Sequence, residues 1–470
     1  MSAARSLSLA ALFRRFGEMR RSEDLRRKRH SGMIGGLVTS LGNRLLSIVI
    51  GFVSVPLTIH YLGTEQYGAW MTINAILAWI SLTDLGLTTG LANALTSEAS
   101  RDRPDLVRMH ISNFLLLMGG LVAAAAAIGA AAWHLLDLGS VFGITDPAVM
   151  AEVRTALAIA ALAFLLRLPL AVANRVYIAY QEGHLGNIWG AAGNLLSFAA
   201  LIAVTQTEGG LPWLVVALSG TLLLVEAAST LWLFLAHRRE LRPALRHVRR
   251  SGFGQIVKIG YQFFLIQIMA LVTFQTDVLV IAHFLGSVAV PRYSLTYQLF
   301  TYATLPQALL FPYLWAAYNE AITRGDLDWV RRAIRWSLLG GLAWSLAAGG
   351  VLIVIAQPFI AWWAGPQVVP SMLLVWLMAA WLVISIFANS IACLFAAASH
   401  LRNQLIYSAL STVSNLVLSV TLVTRIGPEG VIAATVLSYA VFICGPMALD
   451  LRYLLRKLRG EAGKAAPVPA

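Results

Sequence analysis

Between Ser40 and Leu95 the chain reads SLGNRLLSIVIGFVSVPLTIHYLGTEQYGAWMTINAILAWISLTDLGLTTGLANAL. Two apolar runs, Leu45–Ile59 and Ala69–Ile80, flank the short polar turn Gly63-Thr64-Glu65-Gln66. Each run extends into a segment long enough to cross a bilayer, which takes ~20 residues. Each segment also carries one charge, Arg44 in the first and Asp84 in the second. Both lie about twenty residues from Thr64, so antiparallel helices rising ~1.5 Å per residue bring them to nearly equal depth. A charge at membrane depth is costly and faces a partner or a wet cavity. The stretch therefore predicts a hairpin of two helices lining something polar, with Arg44 and Asp84 as neighbours. The plainer alternative is an anchor hairpin whose Arg–Asp pair only neutralises itself.

Working outward, the whole chain has the same character. Its 470 residues are 58% hydrophobic and only 12% charged, with a mean hydropathy of +0.73. Soluble domains carry ~25% charged residues. The composition is that of an integral membrane protein, and the Ala-, Leu-, Val-, Ile- and Gly-rich runs suit helices. The alternating ten-residue pattern of an outer-membrane barrel is absent. The net charge of +13 does not indicate a nucleic-acid partner, because the basic residues sit mostly in short connections, where they set orientation. Cys393 and Cys444 lie far apart in apolar segments and offer neither a disulfide framework nor metal spacing.

The length criterion predicts about twelve spanning segments: 33–61, 66–97, 106–136, 149–181, 185–206, 211–237, 253–285, 289–321, 327–363, 370–398, 401–425 and 429–457. Arg101 and Arg103, the six arginines between 238 and 250, Arg324, Arg331, Arg332, Arg402, and Arg452, Arg456, Lys457 and Arg459 all fall on one side. The opposite connections 62–65, 137–148, 207–210 and 364–369 contain no Lys or Arg. The positive-inside rule then puts both termini in the cytoplasm. The basic stretch from Arg14 to Arg29 reads as a cytoplasmic tail, 1–32, that either lies on anionic lipid or stays solvated. A six-segment bundle at 33–237, a basic linker at 238–252, a second bundle at 253–457 and a tail at 458–470 complete the division.

Weak internal similarity supports two parallel repeats. Ile59-His60-Tyr61-Leu62-Gly63 resembles Ala282-His283-Phe284-Leu285-Gly286, an offset of 223 positions. Gly193-Asn194-Leu195 resembles Ser414-Asn415-Leu416, and His184-Leu185-Gly186-Asn187 resembles His400-Leu401-Arg402-Asn403. A shared order and similar offsets point to duplication. The 223 offset maps Arg44 onto Gln267 and Asp84 onto Gln307, four residues expected to face a seam between the halves.

Other polar residues inside the spans are candidates too. Arg167 and Asn174 are seven apart and share a helical face, whereas Arg175 reads as snorkelling to the surface. Glu226 is either a partner of Arg167 or a functional acid. Asp277 either carries a coupling ion or pairs with Arg292. Tyr293, Tyr297 and Thr304 share a face near Gln307, where Tyr and Gln suit a sugar-sized wet cavity. No Walker loop, metal-ligand cluster or nucleotide-sugar motif is present in the sequence. No enzyme activity, cofactor or metal is expected. The absence of a nucleotide site leaves an ion gradient or the membrane potential to drive any transport.

Asn43-Arg44, Tyr61-Leu62-Gly63, Tyr67-Gly68-Ala69-Trp70 and Asp84-Leu85-Gly86-Leu87 resemble the bacterial oligosaccharide flippases of the O-antigen and exopolysaccharide type. These belong to the multidrug, oligosaccharidyl-lipid and polysaccharide exporter superfamily. The resemblance spans about 30–457. It implies two six-helix bundles in a V around a central cavity, alternating access, and residence in the bacterial inner membrane. It also implies an undecaprenyl-diphosphate-linked oligosaccharide as substrate, with a polysaccharide polymerase machinery as an expected partner and H+ or Na+ as expected coupling ions. Cationic cavity residues of such flippases face the anionic substrate, and Arg44 and Arg167 fit that role. Peptidoglycan-precursor flippases usually have two further helices, which this chain lacks, and drug exporters rely more on acidic cavity residues. A cation-coupled drug or metabolite exporter is the competing expectation. A membrane polymerase or glycosyltransferase is a third, weakened by the shortness of the arginine-poor loops.

Overall fold

The computed structural model describes residues 3–133, 135, 137–249, 253–398, 400 and 402–465. Side chains are described from 39 to 456, apart from most of 255–274 and a few neighbouring positions. The described residues form seventeen α-helices and no strand. In hydrocarbon every backbone donor and acceptor needs an internal partner, and a helix supplies all of them within one segment. The helices are α1 (Ala3–Ile80), α2 (Leu87–Ser100), α3 (Pro104–Ala132), α4 (Leu138–Phe142), α5 (Pro147–Leu170), α6 (Val172–Ala179), α7 (Gly183–Val204), α8 (Gly210–Val215) and α9 (Thr221–Trp232) in the first half. The second half holds α10 (Phe253–Leu285), α11 (Val290–Tyr302), α12 (Leu305–Thr323), α13 (Leu327–Ala364), α14 (Met372–Ala397), α15 (Arg402–Ile426), α16 (Pro428–Tyr439) and α17 (Gly445–Ala465).

Nine stretches of the described residues are long and apolar enough to cross a bilayer. The first, Thr39–Asp84, folds back on itself at Gly63 and counts twice. With α10 and the broken pair α11–α12 the crossings number twelve, six in each half. The turn expected over four residues takes one. Gly63 alone leaves the helical conformation, at φ 73° and ψ 172°, and Thr64, Glu65 and Gln66 are already helical. That backbone region is essentially glycine's alone. Gly286, its counterpart in the second half, adopts nearly the same conformation at φ 80° and ψ 162°. The similarity of the two pentapeptides thus has a geometric content: the same helix reversal is built twice.

Each half has its own interior. Leu91, Leu95, Phe114 and Val176 centre one cluster of the first half, and Ile73, Phe142, Val153 and Leu214 the other. Val280, Met378 and Ile432 centre one cluster of the second half, and Tyr318, Leu394 and Met447 the other. A fifth cluster joins Val55, Ile59 and Tyr67 to Leu295, Ile360 and Trp363 and forms a seam between the halves. Lipid tails are as apolar as leucine, so close packing and interhelical hydrogen bonds hold these interfaces.

The linker is a strap and not a free tether. Arg108 Nε donates to the Glu240 carbonyl at 2.7 Å, and the Ala244 amide donates to Ser112 Oγ at 3.2 Å. Asn113 clamps Arg249 both ways, donating to its carbonyl at 2.9 Å and accepting from its amide at 3.0 Å. Leu241 is fully buried beneath. Desolvation and the neighbouring Arg108 and Arg246 hold the His247 imidazole below its usual pKa. The neutral ring then accepts from Arg246 Nε at 3.2 Å.

Candidate functional site

The second crossing breaks in mid-course. After α1 the residues Ser81–Asp84 tighten into a 3-10 turn. Leu85 and Gly86 then turn left-handed, at φ 47° and 72°. A non-glycine residue in that region costs ~1–2 kcal/mol. Asp84 caps the restart, its Oδ1 accepting the Thr88 amide at 3.1 Å and the Thr88 hydroxyl. Gln267, from α10 of the other half, donates to Ser81 Oγ at 3.3 Å. The break therefore lies at the seam, as expected for Gln267.

The charge that Asp84 faces is Arg175, not Arg44. This corrects the expected Arg44–Asp84 pair. A 3-10 turn rises ~2.0 Å per residue and rotates further per residue than an α-helix, and two left-handed residues follow. Equal counts from Thr64 no longer give equal facing, and Asp84 turns towards α6, along which α2 packs. Arg44 is exposed and forms no ion pair among the described residues. Arg175 is half-buried, with its Nε buried and lacking a hydrogen bond. The snorkelling expectation for Arg175 is corrected with it.

A second break lies opposite. Pro169 removes a backbone donor, α5 ends at Leu170, and α6 starts at Val172. Arg167, on the last turn of α5, forks onto Glu226 of α9, with Nε 2.9 Å from Oε2 and Nη2 2.6 Å from Oε1. The two residues are brought together in the manner read from their depth. They line a cavity of about 430 Å³ with Asn174, Arg175, Trp189 and Asn194. Two glycines of α7 let amides press against its backbone. A Cβ on Gly186 would meet Asn174 Oδ1 at 2.5 Å, and one on Gly190 would meet Asn43 Nδ2 at 2.9 Å. Asn194 donates to Asn43 Oδ1 at 3.2 Å and to Ser47 Oγ at 2.8 Å, and Asn187 donates to Thr39 at 3.1 Å. These rungs hold the first crossing to α7 and are worth ~1–2 kcal/mol each at most. Trp189 and Asn194 were not among the site residues expected from the sequence, where Asn194 figured only in the internal repeat. The seven-residue spacing of Asn187 and Asn194 on one face was the available signal.

In the second half, Asp277 is buried and accepts the Tyr293 hydroxyl on Oδ2 at 2.7 Å. The other carboxylate oxygen, Oδ1, is buried without a hydrogen bond. Asn415 donates to Thr435 at 2.8 Å, and Thr435 donates to the Val431 carbonyl at 3.1 Å. Ser419, one turn beyond Asn415, is buried without a hydrogen bond. Arg292 points away and is exposed, so the expected Asp277–Arg292 pair is replaced by Asp277–Tyr293. Residues 292 and 293 lie ~100° apart around a helix, and only one of them can face α10. Tyr297 stacks on Tyr293, with ring centroids 6.1 Å apart. Both line a cavity of about 300 Å³ between the halves, with Asn74 and Gln275. Gln307 instead turns inward, donating to the Ile386 carbonyl at 2.8 Å and to Ser390 Oγ at 3.0 Å. The chain restarts as α12 after Thr304, and the new helical phase takes Gln307 towards α14.

At the end that carries the Gly63 and Gly286 turns, the halves touch. Ser287 donates to the Phe142 carbonyl at 2.5 Å, and His283 Nδ1 donates to the Ser140 carbonyl at 2.8 Å. Trp363 Nε1 donates to the Phe52 carbonyl at 2.7 Å. At this end a groove of about 750 Å³ lies between α1, the end of α7 and the end of α13.

The family model of the polysaccharide biosynthesis proteins matches residues 35–318. An uncharacterized membrane protein, EpsK, of Bacillus subtilis is 24% identical over 397 residues, 80% of this chain and 74% of that protein. A putative O-antigen transporter of Salmonella typhi is 20% identical over 331 residues, 69% and 74% of the two chains. Among solved structures, an inward-facing multidrug resistance MATE family transporter of the MOP superfamily superposes with a TM-score of 0.75, at 14% identity over 90% of this chain and 96% of that one. The outward-facing form of such a transporter scores 0.55, at 16% identity over 91% and 95%. The lipid II flippase MurJ scores 0.64, at 13% identity over 91% and 90%. The likeness to these structures concerns the fold: an all-helical membrane protein of about twelve crossings in two bundles.

Proposed function

This chain belongs to the polysaccharide biosynthesis protein family, and from that footing we propose that it is a flippase. Its cargo is undecaprenyl-diphosphate-linked oligosaccharide, moved from the cytoplasmic to the periplasmic leaflet by alternating access. The observation that carries the reading is the arginine- and amide-lined cavity inside an otherwise apolar first half. A diphosphate has to cross ~30 Å of hydrocarbon, and arginine holds phosphate in a bidentate fork. Glycan hydroxyls need many amide and hydroxyl partners, and a lateral gap between the halves leaves the lipid tail in the bilayer.

In this reading Arg44, exposed on α1 beside Asn43, meets the diphosphate on entry. Arg167, Asn174, Gln267 and Tyr297 serve the glycan, and Asp84 holds a cation in place when the site is empty. Asp277 and Glu226 are the coupling acids for H+ or Na+. The arginine-rich connections face the cytoplasm, with both termini on that side of the inner membrane. The bundles run over 33–237 and 253–457 with the linker 238–252 between them. A polymerase machinery then takes the product.

Deleting the gene and analysing the lipids tests the proposal. Lipid-linked oligosaccharide should accumulate facing the cytoplasm, and purified protein in vesicles should restore its movement. Drug sensitivity with normal surface glycan would move the chain to the exporters.

A further inference from the structure

We propose that the groove at the turn end is a binding site for an uncharged stretch of sugar residues, and that a glycan seated there holds the two halves together at that end. The inference rests on the flippase reading for the glycan and on this structure for the site. The groove measures about 750 Å³, against about 430 Å³ for the arginine-lined cavity, and lies within the ~300–1,000 Å³ of small-molecule sites. His60, Thr64, Gln206 and Gln367 line it with imidazole, hydroxyl and amide groups, and Tyr61 and Trp363 supply ring surface beside them. Sugar hydroxyls both donate and accept, and these side chains match both roles. No Lys, Arg, Asp or Glu is among the described residues that line the groove.

The backbone points to the same ligand class. α7 ends at Val204 and α13 at Ala364, and both ends reach the groove. The C-terminus of a helix carries partial negative charge and carbonyls without intrahelical partners. Such an end attracts hydroxyl donors and disfavours a phosphate or a carboxylate. The two legs of α1 meet at Gly63, where the end of one and the start of the other offset each other. The walls come from both halves, α1 and α7 from the first and α13 from the second. Trp363 bridges them, donating to the Phe52 carbonyl at 2.7 Å and stacking on the Phe52 ring with centroids 4.9 Å apart. A ligand that touches both walls binds the closed arrangement better than the open one and shifts the population towards it. In the proposed orientation this end faces the periplasm, so sugars delivered there slow the reopening of their own exit.

The test uses the full chain in lipid nanodiscs and saturation-transfer NMR titrations with neutral trisaccharides of glucose, mannose, galactose and rhamnose, and with trigalacturonate as the charged counterpart. At least one neutral trisaccharide should bind, and more tightly than trigalacturonate. Gln206→Ala with Gln367→Ala, both exposed positions, should weaken it roughly tenfold or more, the loss expected for two neutral hydrogen bonds. The bound trisaccharide should also slow the labelling of a cysteine placed at Ser287, where the halves touch, and should cease to do so in the double variant. Binding of no neutral sugar, the result if a lipid headgroup fills the groove, overturns the inference. Preference for trigalacturonate, unchanged affinity in the double variant, or labelling that the sugar leaves unchanged overturns it equally. The flippase reading is judged separately, by accumulation of lipid-linked oligosaccharide in the deletion strain.

Discussion

Gly143 and Gly286 meet backbone to backbone across the two halves. A Cβ on Gly143 would lie 2.5 Å from the Gly286 Cα and 2.6 Å from the Ala282 carbonyl oxygen. Gly68 approaches the same corner, where its Cβ would run into the Ser287 carbonyl. Two helix reversals and a short helix, α4, thus form a seal that only glycine allows.

Gly143→Ala should therefore push the turn end open. Overpacking costs ~1–3 kcal/mol, and the left-handed φ of 62° at this residue adds to it. The expected result is a population shift away from the closed corner, read as faster labelling of a cysteine placed at Ser287. Labelling at the unaltered rate would mean that the corner yields without separating.

A disulfide across the same corner should do the opposite. Ser140 and His283 are joined by a 2.8 Å hydrogen bond, so Ser140→Cys with His283→Cys should cross-link under mild oxidation. Transport should stop on cross-linking and return with a reductant. Full transport by the cross-linked protein would exclude opening at this corner.

The ion pair of Arg167 and Glu226 gives a stability prediction. Its side chains are 28% and 38% exposed, so losing one partner should cost about 1–2 kcal/mol, below the ~3–5 kcal/mol of a fully buried pair. Thermal unfolding of Glu226→Gln measures it. Exchanging the charges, Arg167→Glu with Glu226→Arg, should recover most of the loss. No recovery would show that the fork is fixed by its surroundings and not by the pair.

Asp277 gives a prediction about coupling. If it carries the coupling ion, Asp277→Asn should slow transport and flatten its dependence on the ion gradient. Tyr293→Phe removes the 2.7 Å hydrogen bond and should shift the response without flattening it. Gradient dependence unchanged in Asp277→Asn would leave the carboxylate as a structural partner of Tyr293.

The legible and illegible parts of the sequence divide along physical lines. Crossings were legible because bilayer thickness imposes length and apolarity, and the boundaries of α10 and α13 follow their apolar runs closely. Arg167 with Glu226 was legible because two opposite charges at similar depth in one bundle have few other partners. Partner choice failed wherever a break reset the helical phase. The 3-10 turn Ser81–Asp84 turned Asp84 from Arg44 to Arg175, and the restart after Thr304 turned Gln307 from the seam to Ile386. The offset between the halves predicted the Gly63 and Gly286 reversals but not these side chains. Duplication preserves backbone turns, whereas side-chain partners have diverged: Asn194 reaches α1 and Asn415 reaches α16.

Charge exchange at Asp84 separates the two arginines. Arg44 is exposed and distinct from the Asp84 environment, so Arg44→Ala should leave protein level near normal while export falls sharply. Exchanging Arg44 with Asp84, as Arg44→Asp with Asp84→Arg, should lower protein level, because the introduced guanidinium would face Arg175 and like charges at depth repel. Exchanging Arg175 with Asp84, as Arg175→Asp with Asp84→Arg, keeps opposite charges facing across α2 and α6 and should restore protein level. Export should stay low in that variant, since the cavity now presents an acid where the anionic cargo needs a cation. Membrane protein level and surface glycan, measured side by side in the three variants, give the answer. Restoration by the Arg44 exchange and not by the Arg175 exchange would return Arg44 to the side of Asp84.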